Sequence, residues 1–324
     1  MLGNLIPEEF SNIYYGILVL ASFFITFGGI MLFRGSLPKD QGREFAVNGK
    51  LSEGKPRGAG IIFIITFILS SVLFVPLDLE LIIYLALIFI EMMSGYLDDS
   101  SKVPWGEYKK GLIDLVVAIG VSVTYYAYNG SVINFAMLGI KNVEIPAVLF
   151  IILGVILVWA AINVTNCSDG VDGLCGSLTL ISLITAYVML FFSGKGQSFS
   201  PMLLIMIVCV LAYIWFNASP SKLLMGDAGS RALGVVLAIA FLQTGSPITF
   251  IFAAFMLILD GGLGLIKVSA IRYLKLKGFM KNIRTPIHDQ MRKVKDWSDT
   301  QVVFRFSILQ IIISLIVVAF ALKM

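Results

Sequence analysis

Apolar residues in this chain fall in long, nearly unbroken runs, not at the spacing of one helix face. The runs are residues 13–33, 59–75, 79–97, 111–128, 147–162, 174–192, 202–216, 232–244, 248–271 and 304–322. A helix needs about 20 apolar residues to cross the hydrocarbon core of a bilayer, and most of these runs approach or reach that length. Only 14% of the 324 residues are Asp, Glu, Lys or Arg, against roughly 25% in an average soluble domain. So few charges cannot cover a soluble surface. An ordinary soluble enzyme, a disordered chain and a disulfide scaffold are excluded, and the expected fold is an all-α polytopic membrane protein of about ten transmembrane helices.

The basic residues set its orientation. Cytoplasmic loops collect Lys and Arg. With the N-terminus outside, the inward loops hold all of the 24 Lys and Arg except Lys141, Lys195 and Lys323. Both termini are therefore expected to be extracytoplasmic, with the polar loops facing the cytoplasm. Glu8 and Glu9 precede the first run without any Lys or Arg, which argues against a signal peptide and its basic n-region. Alternation of the kind strands show occurs only at 131–144, where a small extracytoplasmic hairpin is expected. No repeat or soluble segment interrupts the pattern, so residues 1–324 read as a single integral membrane domain.

Chemistry concentrates on the inward side. Cys167, Cys175 and Cys209 form no paired motif, and His288 is the only histidine, so neither a disulfide nor a multi-histidine zinc site is expected. Asp98 and Asp99 end the third run, where a helix C-terminus favours cations over acids. A metal ion or a lysine such as Lys102 is expected to hold them. The link 163–174 contains Asn163, Asn166, Asp169 and Asp172, with two Asp-Gly turns at Asp169-Gly170 and Asp172-Gly173 and no Lys or Arg. Such a link offers oxygen ligands, or partners for a base or sugar. Asp227 lies between glycines just before the eighth run, where backbone amides can take phosphate oxygens and an aspartate can also serve as an N-cap. Arg57 and the basic loop around His288 are readable as positive-inside charge alone. Asp260, in the glycine-rich stretch 260–264, marks a place where the ninth helix bends. Acids, excess cations and glycine turns on one side are the parts needed for metal-assisted phosphoryl transfer. No Walker A motif is present, which argues against an ATP-driven pump.

Four motifs stand in order: Gly-x-Pro-x-x-x-Gly at 54–60, Asp-Asp-x-x-Lys at 98–102, Asn-x-x-Asn-x-x-Asp-Gly-x-Asp-Gly-Leu at 163–174, and Gly-Asp-x-Gly-Ser at 226–230. Together they resemble those of the polyprenyl-phosphate N-acetylhexosamine-1-phosphate transferase superfamily. Thr285-Pro286-Ile287-His288, Trp297 and the run 302–306 are similar to the branch that uses phospho-MurNAc-pentapeptide.

The resemblance implies ten helices with both termini outside, a bacterial cytoplasmic membrane and a Mg²⁺-dependent reaction. The reaction would transfer phospho-MurNAc-pentapeptide from UDP-MurNAc-pentapeptide to undecaprenyl phosphate, giving lipid I and UMP for peptidoglycan synthesis. It implies Asp227 as metal ligand, Asp98 as base, and Asp99 with Lys102 at phosphate. Asn166, Asp169, Gly170, Asp172 and Asn217 fall on the nucleotide and ribose side, with Lys50 near them. Leu224 stands where the family stacks an aromatic on uracil, and His288 contacts the diphosphate or sugar. A homodimer is a further expectation.

The chain departs from the family's three histidines with His288-Asp289-Gln290, and from its usual Gly-Thr-Pro-Thr-Met-Gly-Gly at 54–60. The second departure is closer to the GlcNAc-1-phosphate branch, which remains the rival within the superfamily. Direct attack by the lipid phosphate and a covalent aspartyl-phosphate route both remain open. A transporter is the rival from another class, and it would place ionisable groups at mid-membrane; the runs here hold Glu91, Asp114, Asp260 and Lys267.

Overall fold

The structure is a computed structural model that describes residues 11–42, 52–101, 103, 105–135 and 140–321. Two expected site residues, Lys50 and Lys102, lie outside the described residues. The helices are α1 (Ser11–Phe33), α2 (Gly60–Phe74), α3 (Leu79–Asp99), α4 (Glu107–Asn129), α5 (Ala147–Cys167), α6 (Leu174–Ser193), α7 (Ser200–Asn217) and α8 (Gly226–Gln243). They are followed by the short α9 (Phe250–Ala253) and α10 (Phe255–Leu257), a π turn (Ile258–Gly262), α11 (Leu263–Arg272), α12 (Ile287–Val294) and α13 (Asp299–Ala321). The expected hairpin is present. Strand β1 (Val132–Phe135) pairs antiparallel with β2 (Ile140–Glu144), setting Val132 opposite Glu144.

Among the described residues, seven helices are long and apolar enough to cross a membrane. The pair 247–253 and 255–272, bent by 68° at its break, makes an eighth if counted as one span. The sequence placed two further spans at α2 and α8. Helix α2 has only 15 residues, and α8 carries Asp227 and Arg231 in its first two turns. The bend expected near Asp260 is present, with the break at Ala254 and the π turn just beyond it.

Helix α8 is the centre of the bundle. Every residue in it except Asp227 is buried, as expected of a helix apolar on all sides, and it packs against α2, α3, α5 and α6. The outer helices turn apolar side chains outward, including Ile17, Leu20 and Phe24 of α1, Val148 and Ile156 of α5, and Ile308 and Leu315 of α13. An apolar surface of this extent needs a cover of lipid. Antiparallel connections bring the C-terminal ends of α3, α5 and α7 to the same end of the bundle as the N-terminal ends of α4, α6 and α8. The hairpin closes the opposite end, where the Asn134 N–H donates to the Gly245 carbonyl at 2.8 Å.

Two glycines let α3 and α8 touch at the polar end. A Cβ on Gly95 would stand 2.4 Å from the Asp227 carbonyl. Gly226 has φ +72° and would put a Cβ 2.3 Å from Asp99 Oδ2, so it is fixed both by its left-handed backbone and by lack of room.

One turn into α8, Arg231 is buried between two carboxylates from neighbouring helices. Its Nη2 lies 2.7 Å from Glu91 Oε1 of α3 and is hydrogen-bonded to Asp114 of α4. Asn163 of α5 donates to Asp114 Oδ2 at 3.2 Å. These charges read in the sequence as isolated intramembrane acids. The fold makes them one ion-paired knot that ties four helices together. Removing one member of a buried ion pair strands the other, at a cost of about 3–5 kcal/mol. Arg231→Met is therefore expected to lower the thermal unfolding midpoint in detergent sharply, and an unchanged midpoint would remove the knot from the account of stability.

Candidate active site

The site forms where the segment 55–60 is laced onto the segment before α8. Leu224 N–H donates to the Pro56 carbonyl at 2.8 Å, Ala59 N–H to the Leu224 carbonyl at 3.0 Å, and Gly60 N–H to the Met225 carbonyl at 3.0 Å. On the other side, Arg57 N–H donates to the Pro38 carbonyl at 2.8 Å. These bonds fix the backbone of Arg57 and direct its guanidinium at the acids. Nη1 lies 3.4 Å from Asp40 Oδ1, while Nη2 lies 2.8 Å from Asp99 Oδ1 and 3.8 Å from Asp227 Oδ1. Burial works against the Arg57 charge, but Asp99, Asp227, Asp40 and Asp169 outweigh it and hold its pKa above the ordinary value. Arg57 is a permanent cation.

The second cation comes from the start of α4. Lys110 forms an ion pair with Asp98 and lies 3.3 Å from Asp227 Oδ2. Asp98 Oδ1 also accepts the Trp105 N–H at 2.6 Å, which folds the link between α3 and α4 back over the end of α3. Asp99 Oδ2 accepts the Asp227 N–H at 2.7 Å.

The three aspartates expected from the sequence are therefore brought together, but their environments differ. The Asp99 side chain is 0% exposed and occupied by Arg57 and α8, whereas that of Asp227 is 16% exposed. Of these two, Asp227 is the one within reach of a ligand. Asp99 positions it and Arg57.

A second group lies next to Arg57. Asp172 Oδ2 accepts the Ser221 N–H at 2.9 Å and stands 3.5 Å from Lys55 Nζ, which donates to Ser221 Oγ at 3.0 Å. Asn166 donates to Ser230 Oγ at 3.0 Å, joining the end of α5 to α8. Asp169 contributes its charge at Arg57. Asn217 is buried and uses both ends of its amide inside the protein, accepting from Gly173 N–H and donating to the Leu223 carbonyl, each at 2.9 Å. It shapes the turns around the site. Leu224 is half-buried, with its backbone in the lacing described above. His288, in the first turn of α12, is buried against Gly170.

Sequence reasoning missed Lys110, Lys55 and Asp40 as site residues and read Arg57 as possible topology charge. Lys110 has no local motif to give it away, because only the α3–α4 turn brings it to Asp98. Among the described residues, no group of three or more His, Cys, Asp or Glu converges as a metal cage. Mg²⁺ does not need one, since it commonly takes one or two carboxylates and completes its shell with water and substrate phosphates. Asp227, partly exposed and close to Asp98 through their shared Lys110, fits that kind of site.

The fold defines a polytopic membrane protein with a charged cluster at one end of its bundle, and comparison with known proteins places it among the transferases. The Glycosyl transferase family 4 profile matches residues 81–245, from α3 to the end of α8, and the chain belongs to that family. It is 35% identical over 312 residues to the phospho-N-acetylmuramoyl-pentapeptide-transferase of Treponema pallidum, covering 91% of this chain and 86% of the relative. Proteins of the same name from Clostridium acetobutylicum and Wolbachia pipientis wMel are 30% and 26% identical over 81% and 82% of this chain, and 83% and 84% of their own lengths.

The lacing of Arg57 to Asp99 predicts measurable coupling. Groups sharing one ion-pair network couple by about 0.5–3 kcal/mol. A thermal-unfolding double-mutant cycle of Arg57→Gln and Asp99→Asn is expected to show non-additivity in that range. Strict additivity would dissolve the pair.

Proposed function

We propose that this chain transfers phospho-MurNAc-pentapeptide from its UDP-linked form to undecaprenyl phosphate in the bacterial cytoplasmic membrane, with its polar end facing the cytoplasm, as the relatives' name and the inward bias of Lys and Arg support. The observation that carries the reading is the cluster of Asp98, Asp99 and Asp227 around Arg57 and Lys110, inside a family match that spans all three aspartates.

The lipid phosphate oxygen attacks the phosphorus that bears the sugar. The bond from that phosphorus to the bridging oxygen breaks, and UMP leaves with the electron pair. Asp98 takes the proton of the lipid phosphate when that phosphate arrives protonated. Arg57 and Lys110 neutralise charge on the phosphates, with Asp99 holding Arg57 in line. Lys55 and Asp172, with the turn at Asp169 and Gly170, line the neighbouring side for the nucleotide and sugar. Asp227 would hold Mg²⁺, which when bound would supply further charge stabilisation for the diphosphate. The direct route is preferred over a covalent aspartyl intermediate because Asp98 and Asp227 each have a non-covalent task.

Two measurements test this reading. Asp227→Asn is expected to abolish Mg²⁺-dependent UMP release while leaving the protein extractable and folded, because it removes charge and no core packing; near-normal activity would remove Asp227 from the metal. Sugar choice is tested by competition, with purified protein given undecaprenyl phosphate and equal concentrations of UDP-MurNAc-pentapeptide and UDP-GlcNAc. The pentapeptide donor is expected to be consumed preferentially. Preference for UDP-GlcNAc would move the chain to the sister branch, to which the sequence at 54–60 is closer.

A further inference from the structure

Asp260 has no part in the chemistry above, yet it is fully buried and makes two short hydrogen bonds to one residue. Its Oδ1 accepts the backbone N–H of His288 at 2.7 Å, and its Oδ2 lies 2.7 Å from His288 Nδ1. The two residues come from separate elements, Asp260 from the π turn beyond the break in the bent span and His288 from the first turn of α12. A π turn re-aims side chains within a helix and is frequent at functional sites.

An ionised carboxylate can only accept hydrogen bonds. With an ionised Asp260 the contact would place a ring proton on Nδ1 and leave Nε2 as the other face of the imidazole. Nε2 packs against the turn after α5, so closely that a Cβ on Gly170 would stand 2.4 Å from it. The charged groups around the ring are Asp260 from the π turn, and Asp289 and Arg292 from α12. Asp289 Oδ1 is 3.8 Å from Nε2. It is held by Arg292 Nη2 at 2.9 Å, which also reaches the Gly170 carbonyl at 3.3 Å.

We infer that Asp260 is a positioning residue for His288: it fixes the Nδ1–H tautomer and the ring plane, and so presents Nε2 to the turn that carries Asp169, Gly170 and Asp172. The catalytic consequence rests on the proposed transfer; the tautomer does not.

The chain's single histidine makes the test direct. Purified full-length protein labelled with ¹⁵N-histidine gives one imidazole signal set, and its nitrogen shifts report where the proton sits. In the wild type Nδ1 is expected to be protonated; a neutral ring with its proton on Nε2 would overturn the inference. In Asp260→Asn, the amide orientation that keeps oxygen on the His288 N–H turns its NH₂ toward Nδ1. The ring proton is then expected to move to Nε2, and an unchanged tautomer would count against the assignment.

With UDP-MurNAc-pentapeptide as substrate, Asp260→Asn is expected to lower kcat by about 10²-fold, the loss a misplaced group near the reacting centre can cause, with KM for the donor little changed. In a His288→Asn background the same substitution is expected to add no further loss; multiplicative losses would make Asp260 merely structural. The wild-type spectrum keeps the test decisive if Asp260→Asn does not fold, because it alone reads where the ring proton sits. If the wild type consumes no UDP-MurNAc-pentapeptide, the transfer reading fails while the tautomer measurement still decides the dyad.

Discussion

Asp99 takes the Asp227 N–H on one oxygen and the Arg57 guanidinium on the other, and the polar end of the bundle is organised around that carboxylate. Two adjacent acids at the C-terminus of α3 oppose that helix's dipole. The same position, however, sets Asp99 at the N-terminus of α8, where a negative charge is favoured and free N–H groups need acceptors. One helix's unfavourable end thus becomes the other's cap. The contact is possible only because Gly95 and Gly226 leave no side chain between the helices. It holds Asp227 on the first turn of a helix that is otherwise wholly buried.

The buried knot of Arg231, Glu91 and Asp114 extends this arrangement one turn deeper. Asp227 and Arg231 are four residues apart on α8 and lie on one face of the helix. Their partners come from the same two helices: α3 supplies Asp99 and Glu91, while α4 supplies Lys110 and Asp114. A shift of α8 against α3 or α4 would have to break a hydrogen bond or an ion pair at both levels. Intramembrane acids that would suggest an ion path in a transporter here have a partner and a structural task.

The helical fold and the gathering of Asp98, Asp99 and Asp227 at one end were legible because both depend on local pattern. Apolar runs marked the helices, and the asymmetry of Lys and Arg separated one side from the other. The four motifs named Asp98, Asp99, Asp227 and the 163–174 link, because those residues sit at or beside helix ends. The hairpin was legible from its alternation. What escaped were interactions made by long-range packing. Lys110 reaches Asp98 only through the α3–α4 turn. Lys55 meets Asp172 only after 55–60 is laced onto 224–225. Asn217 carried a binding expectation, yet both ends of its amide are spent on backbone groups of neighbouring turns, a use no local motif announces. The bend near Asp260 followed from its glycines, but the partner of its carboxylate lay 28 residues further on.

The charge count at the site also gives the proposed metal its physical reason. Asp40, Asp98, Asp99 and Asp227 surround two cations, Arg57 and Lys110. The carboxylates already outnumber the cations before a substrate arrives. On the proposed function, a UDP-linked donor and a lipid phosphate bring several more negative charges into this partly buried cluster. Repulsion between unit charges about 4 Å apart is on the order of 4 kcal/mol at the effective dielectric of a protein surface, so two side-chain cations cannot balance all of them. A divalent ion at Asp227 would restore the balance and free Lys110 and Arg57 to turn from aspartate to phosphate. On the proposed function, the cations that order the site without substrate would become its phosphate ligands, a role that suits groups shared between carboxylates and not locked to one.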